Sequence, residues 1–220
     1  MKPLIVAIDG PSGAGKGTVA RAIAGALGYR HLDSGAMYRA VGWKALHDQV
    51  PLDDEDAVAR LADRAHIDVS DARVTIDGHD VTRAIRTPAI DKAATAVARL
   101  PNVRAVLVAR QRALGSGGGI VMEGRDIGTV VFPMADVKVY LDAAPDERAR
   151  RRAKDPAHSG VPSAVSDVQS MLSQRDEQDR TRTASPLYAA PDAIVIDTTG
   201  KNIDEVVGEV MAMIDEKVKT

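Results

Sequence analysis

The fold of this chain is decided by its first eighteen residues, which contain the run Leu4-Ile5-Val6-Ala7-Ile8-Asp9-Gly10-Pro11-Ser12-Gly13-Ala14-Gly15-Lys16-Gly17-Thr18. A short apolar segment leads into a glycine-rich turn, and a helical pattern follows at once. The turn matches the phosphate-loop spacing Gly-x-x-x-x-Gly-Lys, in which backbone N–H groups, the helix dipole and the lysine charge face a phosphate. We therefore expect an ATP-type phosphate site at Gly10, Pro11, Ser12, Gly13, Ala14, Gly15, Lys16, Gly17 and Thr18.

The loop departs from the general pattern at one position. Ser or Thr usually follows the lysine directly, whereas here Gly17 separates Lys16 from Thr18. A chance glycine-rich turn is the alternative interpretation. We disfavour it because the strand, the spacing, the lysine and the helix all agree. The loop by itself does not identify the molecule that receives a phosphoryl group.

The composition is that of an ordinary globular domain. The chain has 220 residues, 45% of them hydrophobic and 27% charged, with a net charge of −2. That charge provides no general attraction to nucleic acids or membranes, and the absence of cysteine excludes disulfides and thiolate metal sites. Since neither a signal peptide nor an apolar run of transmembrane length is evident, we expect a cytoplasmic monomer without nucleic-acid or membrane partners.

Short apolar runs alternate with helical patterns along the chain. Strands are predicted at residues 4–9, 31–33, 120–123, 137–141 and 193–197. This alternation indicates an α/β fold with a doubly wound, five-stranded parallel sheet. Between residues 67 and 81 the pattern changes to short alternating runs divided by Asp77-Gly78, a strong hairpin signal. We expect this segment to form a small antiparallel β insertion.

Polar residues follow two of the predicted strands. Asp33-Ser34 follows the second strand, and Gly124-Arg125-Asp126 follows the third. Open α/β sheets bind ligands at the carboxyl ends of their strands, so both segments are candidates for binding. For Asp33 and Ser34, capping of the next helix alone is an equally weighted alternative.

One predicted helix carries charges on its buried face. Val168, Leu172, Arg175, Asp179 and Arg182 recur at helical spacing, so the two apolar residues direct the three charged ones inwards. A surface salt bridge is the alternative interpretation. We favour a water-filled cleft lined by these charges, provided that the helix stays regular to Arg182.

The segment before that helix has the features of a lid. An arginine-rich helix at residues 148–154 is followed by a Pro-, Gly- and Ser-rich connection at residues 155–166, which looks mobile. Cations near a helix C-terminus also complement its dipole, so we expect only some of these arginines to be functional.

These features favour a small kinase. The guanine-reading signature Asn-Lys-x-Asp is absent, and the chain is too short for a motor or helicase module. Phosphoryl transfer requires positive charge and exclusion of water, which arginines on a closing lid provide. Asp126 and Asp179 can accept hydrogen bonds from a base or a ribose. The acceptor should be anionic or polyhydroxylated, because there are more arginines than ATP requires, at positions 39, 104, 125, 175 and 182.

Four segments carry a resemblance to a known family. They are Gly-Pro-Ser-Gly-Ala-Gly-Lys-Gly-Thr at 10–18, Asp-Ser-Gly-Ala-Met-Tyr-Arg at 33–39, Gly-Arg-Asp-Ile-Gly-Thr-Val-Val-Phe-Pro at 124–133, and the stripe Arg175, Asp179, Arg182. Together they resemble the bacterial cytidylate kinases, which have the P-loop nucleoside monophosphate kinase fold, over essentially the whole chain. Gly-Lys-Gly-Thr is usual in that family. The resemblance implies phosphoryl transfer from ATP to CMP or dCMP with Mg²⁺, in pyrimidine nucleotide metabolism.

The resemblance also implies roles for individual residues. Thr18 would take part in holding Mg²⁺, mostly through waters. The catalytic cations would be Lys16, Arg148, Arg151 and Arg152. The CMP site would comprise Ser34, Tyr38, Arg39, Thr95, Arg104, Arg125, Asp126, Arg175, Asp179 and Arg182. Thr95 stands where the family often has Ser, and Glu123 where it often has Asp, so the longer carboxylate could alter how the metal is placed.

The implied organisation is a single kinase domain, 1–220. Its core comprises residues 1–33, 101–147 and 183–220, and its monophosphate-binding part comprises residues 34–100. The lid spans about 148–166 and leads into a substrate-facing helix to about 182. The competing hypotheses are a small kinase of adenylate, uridylate or shikimate type, and a non-catalytic nucleotide- or RNA-binding regulator, which the low net charge and few aromatic residues disfavour.

Overall fold

A computed structural model of the chain describes residues 3–70, 72–155 and 165–219. It contains a five-stranded parallel sheet flanked by helices and a separate small antiparallel sheet. In chain order the elements are β1 (Ile5–Asp9), α1 (Lys16–Leu27), β2 (Arg30–Asp33), α2 (Ser34–His47), α3 (Glu55–Arg64), β3 (Ile67–Val69), β4 (Val74–Ile76), β5 (His79–Asp80), α4 (Pro88–Val97), α5 (Pro101–Gly115), β6 (Ile120–Gly124), β7 (Val137–Asp142), α6 (Pro145–Lys154), α7 (Val165–Thr181), β8 (Ile194–Asp197) and α8 (Ile203–Lys219).

The strand order of the main sheet is β2-β6-β1-β7-β8, and every neighbouring pair is parallel. The predicted doubly wound sheet is therefore confirmed. Strand β1 lies at the centre of the sheet, and its side chains are apolar on both faces. Ala7 packs on one side of the sheet, whereas Val6 and Ile8 pack on the other.

The register aligns the carboxyl ends of β1, β2 and β6. Asp9 at the end of β1 lies opposite Gly124 of β6, and Asp33 at the end of β2 lies opposite Glu123. The three following loops therefore open at one edge of the sheet, as the sequence predicts.

Helices cover both faces of the sheet. On one face, residues of α2, α3, α4 and α5 form the core together with Leu32 and Met122. On the other, α1 and α8 pack against the sheet through Ile23, Val210 and Ile214. No helix in the described ranges combines the length and apolarity needed to cross a bilayer.

The antiparallel insertion is also confirmed. Strands β3, β4 and β5 form a three-stranded sheet, with Asp77-Gly78 at the hairpin between the last two. Both turn residues have positive φ, 49° and 79°, as a tight hairpin requires. Ile76 and Val81 pack this small sheet against helix α2.

Two helix ends bear on the predicted site. Helix α4 begins at Pro88, because Thr87 caps it by accepting from the backbone N–H of Ile90 and proline suits the first helical turn. Helix α7 ends at Thr181, so Arg182 lies just beyond it. The predicted connection at 155–166 falls mostly on residues 156–164, which lie outside the described residues.

Candidate active site

The phosphate loop joins β1 to α1 in a conformation that depends on glycine. Gly13 has φ 82°, and a Cβ there would lie 2.8 Å from the backbone oxygen of Arg148. Lys16 opens the helix, and its Nζ donates to the carbonyl of Pro11 at 2.7 Å. Burial, assisted by the charge of nearby Arg125, lowers the pKa of Lys16 to about 7. A phosphate in the loop would offset this penalty on the charged form.

The glycine that interrupts the general motif lies beside a buried carboxylate. A Cβ on Gly17 would lie 2.9 Å from Oε1 of Glu123, which is itself 3.1 Å from Nε2 of the buried His31. A side chain at this position would have to shift the end of the Glu123 side chain.

Tyr38, Arg104, Asp126 and Arg182 form a buried polar cluster that lines the same cavity as the loop. The guanidinium carbon of Arg104 lies 5.4 Å from the ring centre of Tyr38, and an Arg104 Nη hydrogen-bonds to Asp126. Nη2 of Arg182 lies 3.8 Å from Oδ1 of Asp126. Burial raises the pKa of Tyr38 to about 12, so its hydroxyl stays protonated.

Several buried polar atoms in the cavity have no hydrogen-bond partner within the residues that the structure describes. They are Arg104 Nε, Arg175 Nε and Arg182 Nη2. Buried polar atoms are nearly always paired in native proteins. These atoms therefore suit a polar ligand with several acceptors.

Asp179 and the arginines around it connect α7 to the loop after β6. Oδ2 of Asp179 accepts from Nε of Arg125 at 3.0 Å, and its Oδ1 lies 3.7 Å from Arg182. Burial alone would raise the pKa of Asp179, but Arg125, Arg175 and Arg182 lower it below its ordinary value. The charged stripe predicted on this helix does face inwards, because Leu172 and Asp179 are buried.

The two predicted CMP-site residues with an aliphatic hydroxyl group, Ser34 and Thr95, both donate to backbone carbonyls. Ser34 donates to the carbonyl of Glu123 at 2.7 Å, and Thr95 donates to the carbonyl of Asp91 at 2.8 Å. Capping of α2 is performed by Asp33, which accepts from the N–H of Ala36. The Ser34 hydroxyl has no part in that cap, and its remaining lone pair can accept from a ligand.

The arginines expected on the lid differ in where they point. Arg151 and Arg152 line the cavity, and Arg151 is anchored through Nη1 to Thr198 Oγ1 at 2.9 Å. The Arg148 guanidinium does not line the cavity. It donates to the carbonyls of Ala143 and Ser12 at 3.0 and 3.2 Å and to buried Asp176.

Arg148 should consequently matter more for stability than for substrate binding. Replacing it with alanine leaves Asp176 buried without its cation, and we expect a loss of about 3–5 kcal/mol in the free energy of unfolding, measured with urea. Arg150→Ala is the matched control, because Arg150 is exposed on the same helix and its ion pair with Glu147 is worth at most about 1 kcal/mol. Equal losses in the two variants would contradict this placement.

Some residues of the site escaped the sequence patterns. Asp9 accepts from the backbone N–H groups of Ile127 and Gly128 at 2.8 and 2.7 Å and so holds the loop after β6 against β1. Burial raises the pKa of Asp9 to about 6. The only sequence signal was an acidic residue at the end of a buried strand. The sequence patterns also missed His31 in β2 and Asp91 in α4.

One cavity of about 620 Å³ brings most of the predicted residues together. The donor end is lined by the loop from Ser12 to Thr18, and the structure places Gly10 and Pro11 outside the lining. The other predicted residues that line it are Ser34, Tyr38, Arg39, Thr95, Arg104, Arg125, Asp126, Arg151, Arg152, Arg175, Asp179 and Arg182.

The oxygen atoms near the loop suit a hard cation. Thr18, Asp33 and Glu123 line the cavity beside the expected phosphates. In the described part of the chain, no three His, Cys, Asp or Glu side chains form a cluster able to hold a metal ion. Mg²⁺ commonly needs only one or two carboxylates, because substrate phosphates and waters complete its shell.

The comparison with protein families now decides the relationship. The sequence model described as cytidylate kinase matches residues 6–216. This chain belongs to the cytidylate kinase family. The resemblance inferred from the sequence motifs is therefore confirmed, and the cavity described above is the candidate active site of a cytidylate kinase family member.

Individual relatives agree with this membership. A cytidylate kinase of Desulfitobacterium hafniense is 45% identical over 222 residues, covering 100% of this chain and 96% of the relative. One of Pelotomaculum thermopropionicum is 48% identical over 214 residues, covering 95% of each chain. Among solved structures, shikimate kinase from Acinetobacter baumannii in complex with shikimate has a TM-score of 0.51 at 15% identity, covering 97% of this chain and 94% of that one. That likeness shows a common kinase fold only.

Proposed function

We propose that this chain transfers the γ-phosphoryl group of ATP to CMP and dCMP, giving ADP with CDP or dCDP. One observation carries the proposal. In a member of the cytidylate kinase family, the phosphate loop and the buried cluster of Tyr38, Arg104, Asp126 and Arg182 line one and the same cavity. A donor and an acceptor nucleotide can bind there with their phosphates facing each other.

At the donor end, the backbone of residues 13–18 would hold the β- and γ-phosphates. Lys16 would supply a positive charge to their oxygens, and Arg151 and Arg152 would approach from α6. Thr18 and Glu123 would hold Mg²⁺, mostly through waters. When bound, that ion neutralises phosphate charge.

At the acceptor end, Asp126 would accept a hydrogen bond from the amino group of cytosine, with Arg104 and Thr95 beside it. Uracil carries a carbonyl oxygen at that position, so a carboxylate would repel it. Tyr38, Asp179 and Arg182 would surround the sugar. The phosphate would bind to Arg39, Arg125 and Arg175, with Ser34 nearby, because planar guanidinium groups match phosphate oxygens.

The phosphoryl transfer does not require a strong general base. The attacking oxygen of a nucleoside monophosphate is already anionic, so alignment and charge neutralisation supply most of the rate enhancement. The helices that carry Arg152 and Arg175 cover the cavity and would keep water from the transferred group.

A panel of acceptors tests the proposed function. With Mg-ATP as donor and ADP release as the readout, kcat/KM should be highest for CMP or dCMP. We expect UMP, AMP and shikimate to be poorer by at least about 100-fold, because each leaves buried polar groups of the acceptor end unpaired. A preference for AMP or shikimate, or ATP hydrolysis that no acceptor stimulates, would overturn the proposal.

A further inference from the structure

Asp91 on α4 lies where arginines from three different helices meet. Its Oδ1 is 3.2 Å from Nε of Arg39 on α2 and 3.6 Å from Nη1 of Arg175 on α7. Its Oδ2 accepts from Nη2 of Arg152 on α6 at 2.6 Å. The four side chains are largely buried, each at most 20% exposed. No role has been given to this carboxylate so far.

The charges in this group need the carboxylate. Three guanidinium groups in a narrow cleft repel one another at low dielectric. Burial, followed by the charges of Arg125 and Arg39, lowers the pKa of Arg175 to about 10, and Asp91 opposes that change. Without the carboxylate, the three arginines would move apart or take up counterions from solvent.

Asp91 holds the arginines without occupying the substrate cavity. Arg39, Arg152 and Arg175 line the cavity, whereas Asp91 is not part of the lining. A guanidinium has five N–H donors, and the contacts above use one nitrogen of each arginine. Other donors of the same arginines can therefore reach phosphate oxygens.

The contacts also connect two parts of the molecule. Asp91 and Arg39 belong to the helices of residues 34–100, whereas Arg152 and Arg175 belong to α6 and α7, which follow later in the chain. The pairing of Arg152 with Asp91 spans 61 residues of sequence. An arginine of the expected lid is thereby brought beside two arginines of the acceptor end.

We propose that Asp91 is a positioning residue for phosphoryl transfer, which holds Arg152 beside Arg39 and Arg175 so that cations from both sides of the cavity converge on the transferred group. The inference rests on the proposed kinase function. It differs from a plain structural salt bridge, because its effect on the reaction passes through Arg152.

A double-mutant cycle on the full chain tests the inference. Asp91→Asn, which keeps the side-chain volume, should lower kcat with CMP about tenfold, as misplacement of a catalytic group by a fraction of an ångström does. The KM for ATP should change less than about twofold, since the phosphate loop is untouched, and kcat is measured well below the unfolding midpoint of each variant, so that lost stability does not contribute to it. Combining Asp91→Asn with Arg152→Ala should lower kcat no further than Arg152→Ala alone.

The controls separate the possible outcomes. Asp80→Asn removes a carboxylate from an exposed Arg–Asp pair and should leave kcat unchanged. Multiplicative effects in the Asp91–Arg152 cycle, or tighter CMP binding with unchanged kcat in Asp91→Asn, would overturn the inference. If the unaltered chain fails to phosphorylate CMP, the proposed function is wrong. If it succeeds and Asp91→Asn matches it, only the inference about Asp91 is wrong.

Discussion

Lys16→Ala should abolish most of the turnover, lowering kcat by about 10²–10³-fold, which is the usual cost of removing one preorganised charge from a transition state. Lys16 is placed for this by its position at the start of α1, where its Nζ bonds to the Pro11 carbonyl inside the loop. The measurement is steady-state ADP release with saturating CMP. Lys217→Ala, which removes an exposed lysine from α8, is the matched control.

The loss should be catalytic rather than structural. Because burial lowers the pKa of Lys16 to about 7, the nucleotide-free chain holds the charged form at a cost. Lys16→Met, which keeps the length of the side chain without its charge, should therefore be at least as stable as the unaltered chain at pH 7. Near-normal turnover in either variant would contradict the assignment of the loop.

Asp126→Ala should damage CMP recognition more than ATP binding, but the structure identifies a better variant. Alanine would leave Arg104 and Arg182 buried beside an empty position, at a cost of about 3–5 kcal/mol in stability. Asp126→Asn keeps the shape and removes the charge. We expect it to raise the KM for CMP about 10- to 100-fold, since a hydrogen bond to a charged group is worth about 1.5–3 kcal/mol.

The KM for ATP should change less than about twofold in Asp126→Asn, because Asp126 is not part of the phosphate loop. Asp48→Asn is a suitable control, since Asp48 pairs with Lys44 on the surface. An unchanged KM for CMP would mean that Asp126 serves only to balance the two arginines.

The parts of the site that could be predicted are those with a local signal. The phosphate loop was predictable because the strand, the turn and the helix are contiguous in sequence. The inward face of α7 was predictable because Leu172 and Asp179 follow the helical period, which aligns them whatever the rest of the fold does. The end of α7, predicted at about residue 182, lies at Thr181, one residue before Arg182.

The remaining features depend on contacts between distant residues. Asp9 meets Gly128 across 119 positions, and His31 meets Glu123 across 92. Arg148 was expected at the substrate because the resemblance to the cytidylate kinases implies a catalytic role for it. The direction of each side chain on that helix depends on how α6 packs against the loop and α7, and no local pattern reports that packing.

The central claim is that CMP receives the γ-phosphoryl group of ATP in this cavity. The most direct measurement follows the label from [γ-³²P]ATP in the presence of CMP and Mg²⁺, with separation of the nucleotide products. The label should appear in the β-phosphate of CDP at the rate at which ADP forms, and it should not appear with Lys16→Met. Label released as inorganic phosphate, with CMP left unchanged, would contradict the claim.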